Sequence, residues 1–314
     1  MDKYFQEDGM LQFPIFHLIG GTQTLRNEFI EKLQKELDSC YLDVGFVRNS
    51  LPQRFELFSL VRRFDLVIVD GTVAFALHKI HLDSSNHVGV DDLVWGEAEK
   101  GSMDTLIEAM LAKLEHIARQ VPVWACILIG GRSSRMGQPK HLLKRGEESW
   151  LEHTVRLVGP HVEGLVVSGR GELPKTLDDT QRIPDIPGVA GPLTGVLSAM
   201  RWQPCVSWLV IACDMPFISD DALNWLLSGR RPGCWGRLPR LADAEFCEPL
   251  LAWYDGRGAH LLEEQLLSGN LRIGKIASHL KIDNPIIPET LCSAWQNVNT
   301  PEQLQDTFQS TQLS

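Results

Sequence analysis

No stretch of this chain is long and apolar enough to span a bilayer, which takes about 20 consecutive residues. Cysteine pairing is missing too. The seven cysteines (Cys40, Cys126, Cys205, Cys213, Cys234, Cys247 and Cys292) are odd in number and include no Cys-x-x-Cys pair. That spacing supports neither a disulfide framework nor a zinc site. Nor is there an excess of basic residues: 30 Lys and Arg stand against 40 Asp and Glu, for a formal net charge of -10. Non-specific nucleic-acid binding relies on basic surface and is disfavoured, although a small anion needs only a local positive pocket. Residues 1–8 are polar and partly acidic, unlike a secretory signal, so a cytoplasmic location is expected, with no membrane partner. What remains is a globular composition, 44% apolar and 22% charged, in 314 residues, enough for two domains with separate cores.

The densest local signal is the run Gly130-Gly131-Arg132-Ser133-Ser134-Arg135-Met136-Gly137-Gln138-Pro139-Lys140, directly after an apolar stretch at 123–129 that reads as a buried strand. A strand leading into Gly-Gly brings bare backbone N–H groups to the C-terminal edge of a sheet, where no Cβ obstructs a polyphosphate. Arg135 and Lys140 supply fixed positive charge for such an anion. The Gly-Lys-Ser/Thr ending of the common P-loop is absent. Taken singly, a Gly-Gly turn and solvated basic residues are ordinary; together, after a buried strand, they favour anion binding.

Residues 208–213 form a second apolar run that reads as a central strand, with Asp214 at its carboxyl edge, where ligands bind in open α/β sheets. An acid at such a tip beside a phosphate loop suits Mg²⁺, which takes one or two carboxylates together with waters and substrate phosphates. Ser219 already suits the N-cap of a helix at 220–227, which weakens a capping role for Asp214. Another strand at 164–169 carries Ser168 near its tip. Asp185 precedes the run Gly191-Pro192-Leu193-Thr194-Gly195, which opens a helix through Met200. Its carboxylate could accept N–H bonds from a base or contact a ribose hydroxyl, or it could stabilise its own turn. Asn297 and Asn299, two apart, would face the same way on a strand, before a Thr300-Pro301 helix start.

The first half also alternates strands and helices: strand 13–19, helix 25–37, strands 42–47 and 65–71, and an amphipathic helix 104–119. That order implies a parallel α/β sheet. Pro122 disfavours a further helical turn, which puts the boundary near residue 121 and the domains at 1–120 and 121–314.

The loop at 130–140 resembles the nucleotide loop of the molybdenum cofactor guanylyltransferases, and so do four other places: 164–169, 183–195, the Cys213-Asp214-Met215-Pro216 motif and the Asn297-Val298-Asn299-Thr300-Pro301 ending. Glu248 to Tyr254 also resembles that family's Pro-Leu-x-Ala strand, which implies a strand there that is partly core and partly pocket wall. The resemblance implies a Rossmann-like nucleotidyltransferase fold for 121–314. It also implies nucleotide contacts at Leu128, Ile129, Gly130, Gly131, Lys140, Ser168, Asp185 and Asp214. Catalytic roles would fall to Arg135, Lys140 and Asp214, with Mg²⁺ on Asp214 and pterin contacts at Asn297 and Asn299. Residues 1–120 resemble the small P-loop GTP-binding partner of that enzyme (the MobB-like family). The Walker positions there read Gly20, Leu25, Arg26 and Asn27, and Arg48-Asn49 replaces Lys-His, so the domain is expected to be degenerate, with a role in docking, stability or substrate handover. The fold class is therefore α/β, two three-layer domains with mainly parallel sheets.

The activity implied is transfer of GMP from GTP to the phosphate of molybdopterin, releasing pyrophosphate; molybdoenzyme apoproteins or their chaperones are further partners to consider. A related transferase using CTP or a sugar phosphate is the nearest alternative. A non-catalytic carrier of the cofactor is the alternative from another class.

Overall fold

Continuous apolar runs ending in glycine or acid dictate the architecture of both halves. The computed structural model describes residues 9–48, 52–82, 89–95, 102–130, 139–189 and 191–298. The chain divides into two compact units, one of residues 1–121 with 231–233 and the other of 122–230 with 234–314.

The first unit runs β1 (Ile15–Ile19), α1 (Gln23–Ser39), β2 (Val44–Arg48), α2 (Arg54–Val61), β3 (Leu66–Asp70), β4 (His78–His81), β5 (Leu93–Val94) and α3 (Met103–Gln120). Its sheet has the order β2-β3-β1-β4-β5, and every pairing is parallel. Successive residues of β1 and β3 face opposite sides. Phe16, Leu18, Leu66 and Ile68 pack with Phe29 and Leu33 of α1 and Met110 and Leu114 of α3, while Ile15, Val67 and Val69 pack with Leu57 and Val61 of α2. Helices thus cover both faces.

The second unit runs β6 (Val123–Leu128), β7 (Lys144–Arg145), β8 (Glu148–Ser149), α4 (Trp150–Val158), β9 (Gly164–Ser168), β10 (Gln181–Ile183), α5 (Pro192–Trp202), β11 (Ser207–Ala212), α6 (Asp220–Leu227), β12 (Gly236–Arg237), β13 (Ala252–Tyr254), α7 (Ala259–Leu267) and β14 (Ile282–Asp283). The main sheet has the order β10-β9-β6-β11-β13-β12-β14, with β13 antiparallel to both neighbours and the remaining pairings parallel. Trp208 and Val210 point into one core with α5 and α7; Leu209 and Ile211 point into the other with α6. Three layers follow from that alternation, and the α/β class with mainly parallel sheets is borne out.

Two segments depart from the expected elements. The strand expected over 248–254 begins only at Ala252, because Leu251 takes a left-handed backbone (φ 56°) that a ladder cannot accommodate. The segment around Asn297 is irregular through Val298 rather than a strand, and residue 299 and the Thr300 cap lie outside the described residues.

Candidate active site

Strands β9, β6 and β11, adjacent and parallel, end level with one another. Leu128 is paired with Ser168 on one side and Ala212 on the other. Backbone bonds continue past the ladder: Ile129 N–H donates to the Ser168 carbonyl (2.8 Å) and Cys213 N–H to the Leu128 carbonyl (3.1 Å). Gly130 then turns the chain with φ 105°, a conformation that a side chain would strain. The same carboxyl edge opens into a cavity of about 350 Å³, the size of a small-molecule site. Leu128, Ile129, Gly130, Lys140, Ser168, Asp185 and Asp214 all line it. Gly131 and Arg135, also expected at the site, lie outside the described residues.

Lys140 begins a short 3₁₀ turn, Lys140–Leu142, whose next residue, His141, is buried and bonds through Nε2 to the Glu172 carbonyl (2.9 Å). Burial holds the His141 imidazole below its ordinary pKa, so it anchors the turn as a neutral group. From there Lys140 Nζ donates to Asp214 Oδ2 at 2.8 Å, with side chains only 16% and 22% exposed. Asp214 is also held through its backbone: its carbonyl accepts from Val298 N–H (3.0 Å). Val298 is itself packed with Leu143, Trp150 and Phe217, which brings the exposed Asn297 close in sequence to an anchor point at Asp214.

On the far wall, Ser168 is fully buried and its Oγ donates to Asp185 Oδ1 at 3.4 Å. Gly195 of α5 makes room for this contact. A Cβ there would come within 2.7 Å of Leu128 Cδ2 and 2.9 Å of Ser168 Oγ. Helix α5 begins with Gly191 as N-cap and Pro192 at its first position, where the missing N–H costs nothing. Gly191, Pro192, Gly195, Ala212, Cys213 and Leu250 complete the lining, and none had been singled out as a site residue. The first three belong to the Gly-Pro-Leu-x-Gly run, whose resemblance to the family's loop alongside the base pointed to this wall. Leu250 belongs to the stretch 248–254, for which the resemblance implied a part in the pocket wall, and it lines the cavity. The Cys213 thiol is pushed up to about 12, first by burial and then by the Asp214 charge, which fits an inert wall group rather than a nucleophile.

A profile of the family described as "MobA-like NTP transferase domain" matches residues 125–279. The molybdenum cofactor guanylyltransferase of Rhizobium meliloti (strain 1021) is 32% identical over 193 residues, covering 57% of this chain and 88% of that protein. The chain belongs to the molybdenum cofactor guanylyltransferase family. A probable molybdenum cofactor guanylyltransferase of Pelotomaculum thermopropionicum is 29% identical over 184 residues, again 57% of this chain and 88% of the relative. Among solved structures, molybdopterin-guanine dinucleotide biosynthesis protein A from Archaeoglobus fulgidus has 24% identity and a TM-score of 0.51, covering 61% of this chain and 100% of that one, and shares the fold.

The site's donor set also bears on metal binding. Among the described residues no group of three or more His, Cys, Asp or Glu side chains could hold an ion by itself. A single carboxylate at a strand tip, within a cavity sized for a nucleotide, fits an ion whose other ligands are phosphate oxygens and water.

The first unit has a carboxyl edge of its own. Strand β1 gives way to α1 after three residues, and the side chain of Arg26 folds back over the loop. Its Nε donates to the Gly20 carbonyl (2.9 Å) and its guanidinium pairs with Asp70 Oδ1 at the tip of β3 (2.5 Å). Asp70 is 4% exposed and Arg26 21%. No described helix in either unit is long and apolar enough to cross a membrane.

Proposed function

We propose that the second unit transfers GMP from GTP to the terminal phosphate of molybdopterin, giving a guanine dinucleotide cofactor and pyrophosphate. The observation that carries this reading is the convergence of Gly130, Lys140, Asp185 and Asp214 on one cavity of nucleotide size, in a chain of this family. An oxygen of the molybdopterin phosphate attacks the α-phosphorus of GTP; the new P–O bond forms as the bond to the β-phosphate bridge breaks, and the electron pair leaves with pyrophosphate. Two polyanions must meet, so neutralising and aligning them is the main demand on the protein. Backbone N–H groups of Gly130 and Gly131, together with the charge of Arg135, would hold the β- and γ-phosphates, and Lys140 would serve the α-phosphate. Asp185 faces the nucleoside, with Ser168 donating to it from below; Asn297 and Asn299 belong to the pterin side. Asp214 is the residue that would hold Mg²⁺, which when bound supplies charge neutralisation at the phosphates. The attacking phosphate is ionised at neutral pH, with a second pKa near that of phosphorylated side chains, about 6, so no general base is needed.

Residues 1–120 we read as a degenerate P-loop domain of the MobB-like kind. The order β2-β3-β1-β4-β5 and the acid at the β3 tip support that reading. Arg26 explains the degeneracy: its guanidinium occupies Asp70 and the Gly20 carbonyl, the two groups next to which a metal and phosphate would have to sit. A Mg²⁺ cofactor and a cytoplasmic location complete the reading.

Thermal-shift titration with each of the four NTPs tests the base assignment. Stabilisation by GTP well above CTP supports guanylyl transfer. Preference for CTP would overturn it in favour of the cytidylyl alternative.

A further inference from the structure

We propose that the Lys140–Asp214 ion pair fixes the order of binding at this site, so that the divalent cation enters only with the nucleotide. The inference rests on the reading of Asp214 as the metal-holding residue and goes beyond it. In the structure the ammonium that serves phosphate and the carboxylate that serves the metal neutralise each other at 2.8 Å. Both side chains are largely withdrawn from water, so solvent screens the contact less than it would a surface pair. A dication cannot share Asp214 with an ammonium at that distance without strong like-charge repulsion. Nor do the described residues offer a second cluster of acids to hold it elsewhere in the cavity.

The phosphate chain resolves the conflict. A polyphosphate arriving at Gly130 offers Lys140 a partner of higher charge, and its oxygens supply the ligands that Asp214 lacks. Lysine suits this exchange, because its ammonium rides on a flexible four-carbon stem. The backbone below it stays fixed: His141 is buried and bonded to the Glu172 carbonyl, and Leu143 packs against Trp150 and Val298. Lys140 therefore moves from carboxylate to phosphate while Asp214 turns from ammonium to metal. Each charge of the pair keeps a counter-charge before and after, and Asp214 is not left bare to free cations.

The test is Mn²⁺ binding, followed by the loss of the free-ion EPR signal, in nucleotide-free full-length protein. Wild type, Lys140→Met, Lys140→Gln and Lys140→Met/Asp214→Asn would be titrated into the millimolar range, with melting curves to establish folding. Removing a charge-assisted contact of this kind predicts at least about tenfold tighter Mn²⁺ binding in both single variants. The double variant should lose that gain. Equal Mn²⁺ binding by wild type and the folded single variants would overturn the proposal. A control separates this outcome from failure of the underlying reading: with GTP present, Mn²⁺ should be bound more weakly by Asp214→Asn than by wild type, although GTP itself stays bound. That weakening without any gain in the Lys140 variants sinks the binding order alone, whereas unchanged Mn²⁺ binding in the presence of GTP removes Asp214 as the metal-holding residue.

Discussion

Gly195→Ala separates the site from the scaffold. In most helix interiors this change stabilises by about 1 kcal/mol, because glycine has the poorer helix propensity. Here the new methyl would lie 2.7 Å from Leu128 Cδ2 and 2.9 Å from Ser168 Oγ, so both must give way. Forced adjustments in packed sites cost about 1–3 kcal/mol. The Leu128 contact is with the end of a side chain that borders the cavity, so relief is available in that direction and the cost falls at the low end. The two terms nearly cancel, and the net loss of stability should be about 0–1 kcal/mol. Binding should not escape. Leu128 is displaced into the cavity, and the Ser168 hydroxyl is pushed from Asp185, to which it donates at 3.4 Å. A lost hydrogen bond of about 1 kcal/mol together with a narrowed pocket predicts a GTP affinity down by about tenfold or more. Thermal melting and calorimetric titration with GTP read the two effects on the same sample. Unchanged GTP affinity in a folded variant would refute the assignment of this wall to the nucleotide.

Asp214→Asn should retain much of the GTP affinity and lose magnesium-dependent turnover by about 100-fold or more, the scale of removing a preorganised electrostatic contributor; steady-state pyrophosphate release checks this. Lys140→Ala should raise the KM for GTP and lower kcat together, since the ammonium serves phosphate in both ground and transition states. Calorimetry should find one GTP per chain rather than two, because Arg26 occupies the Asp70 carboxylate in the first unit; a second tight site abolished by Asp70→Asn would contradict this. His78, half-buried in β4, is lowered to about 4, chiefly by desolvation and next by the Lys113 charge. A histidine whose folded pKa is depressed contributes stability above its unfolded value, about 6.5, and loses it as pH falls toward the folded value. The first unit should therefore weaken by about 1–2 kcal/mol between pH 6.5 and 4, allowing for partial exposure, and His78→Gln should flatten that slope in pH-dependent chemical unfolding.

Much of the site was legible because its strands are buried on both faces and read as unbroken apolar runs. Residues 123–128 and 207–212 announce themselves in this way, and the residues just past their ends mark the carboxyl edge. Ser219 was readable as a cap for a local reason, and its Oγ accepts from Ala222 N–H as capping chemistry requires. Long-range pairings were not readable. Lys140 and Asp214 are 74 positions apart and meet only through the 3₁₀ turn anchored by His141. The two-residue strands β12 and β14 are too short for any periodicity to register. Leu251 offered no warning either, since a left-handed leucine contradicts its own propensity; it is fully buried, and its carbonyl accepts from Trp295 Nε1–H. In the first unit the substitution of Arg26 for lysine was visible in the sequence, whereas its internal partners, Asp70 and the Gly20 carbonyl, required the fold.

The most direct test of the account is to follow labelled phosphate in a reaction of full-length protein, Mg²⁺, molybdopterin and GTP. Label at the α-phosphate should appear in a pterin dinucleotide, and label at the γ-phosphate in pyrophosphate, in equal amounts. With a validated pterin substrate, failure of α-label to reach the pterin would contradict guanylyl transfer and leave the chain a carrier of the cofactor.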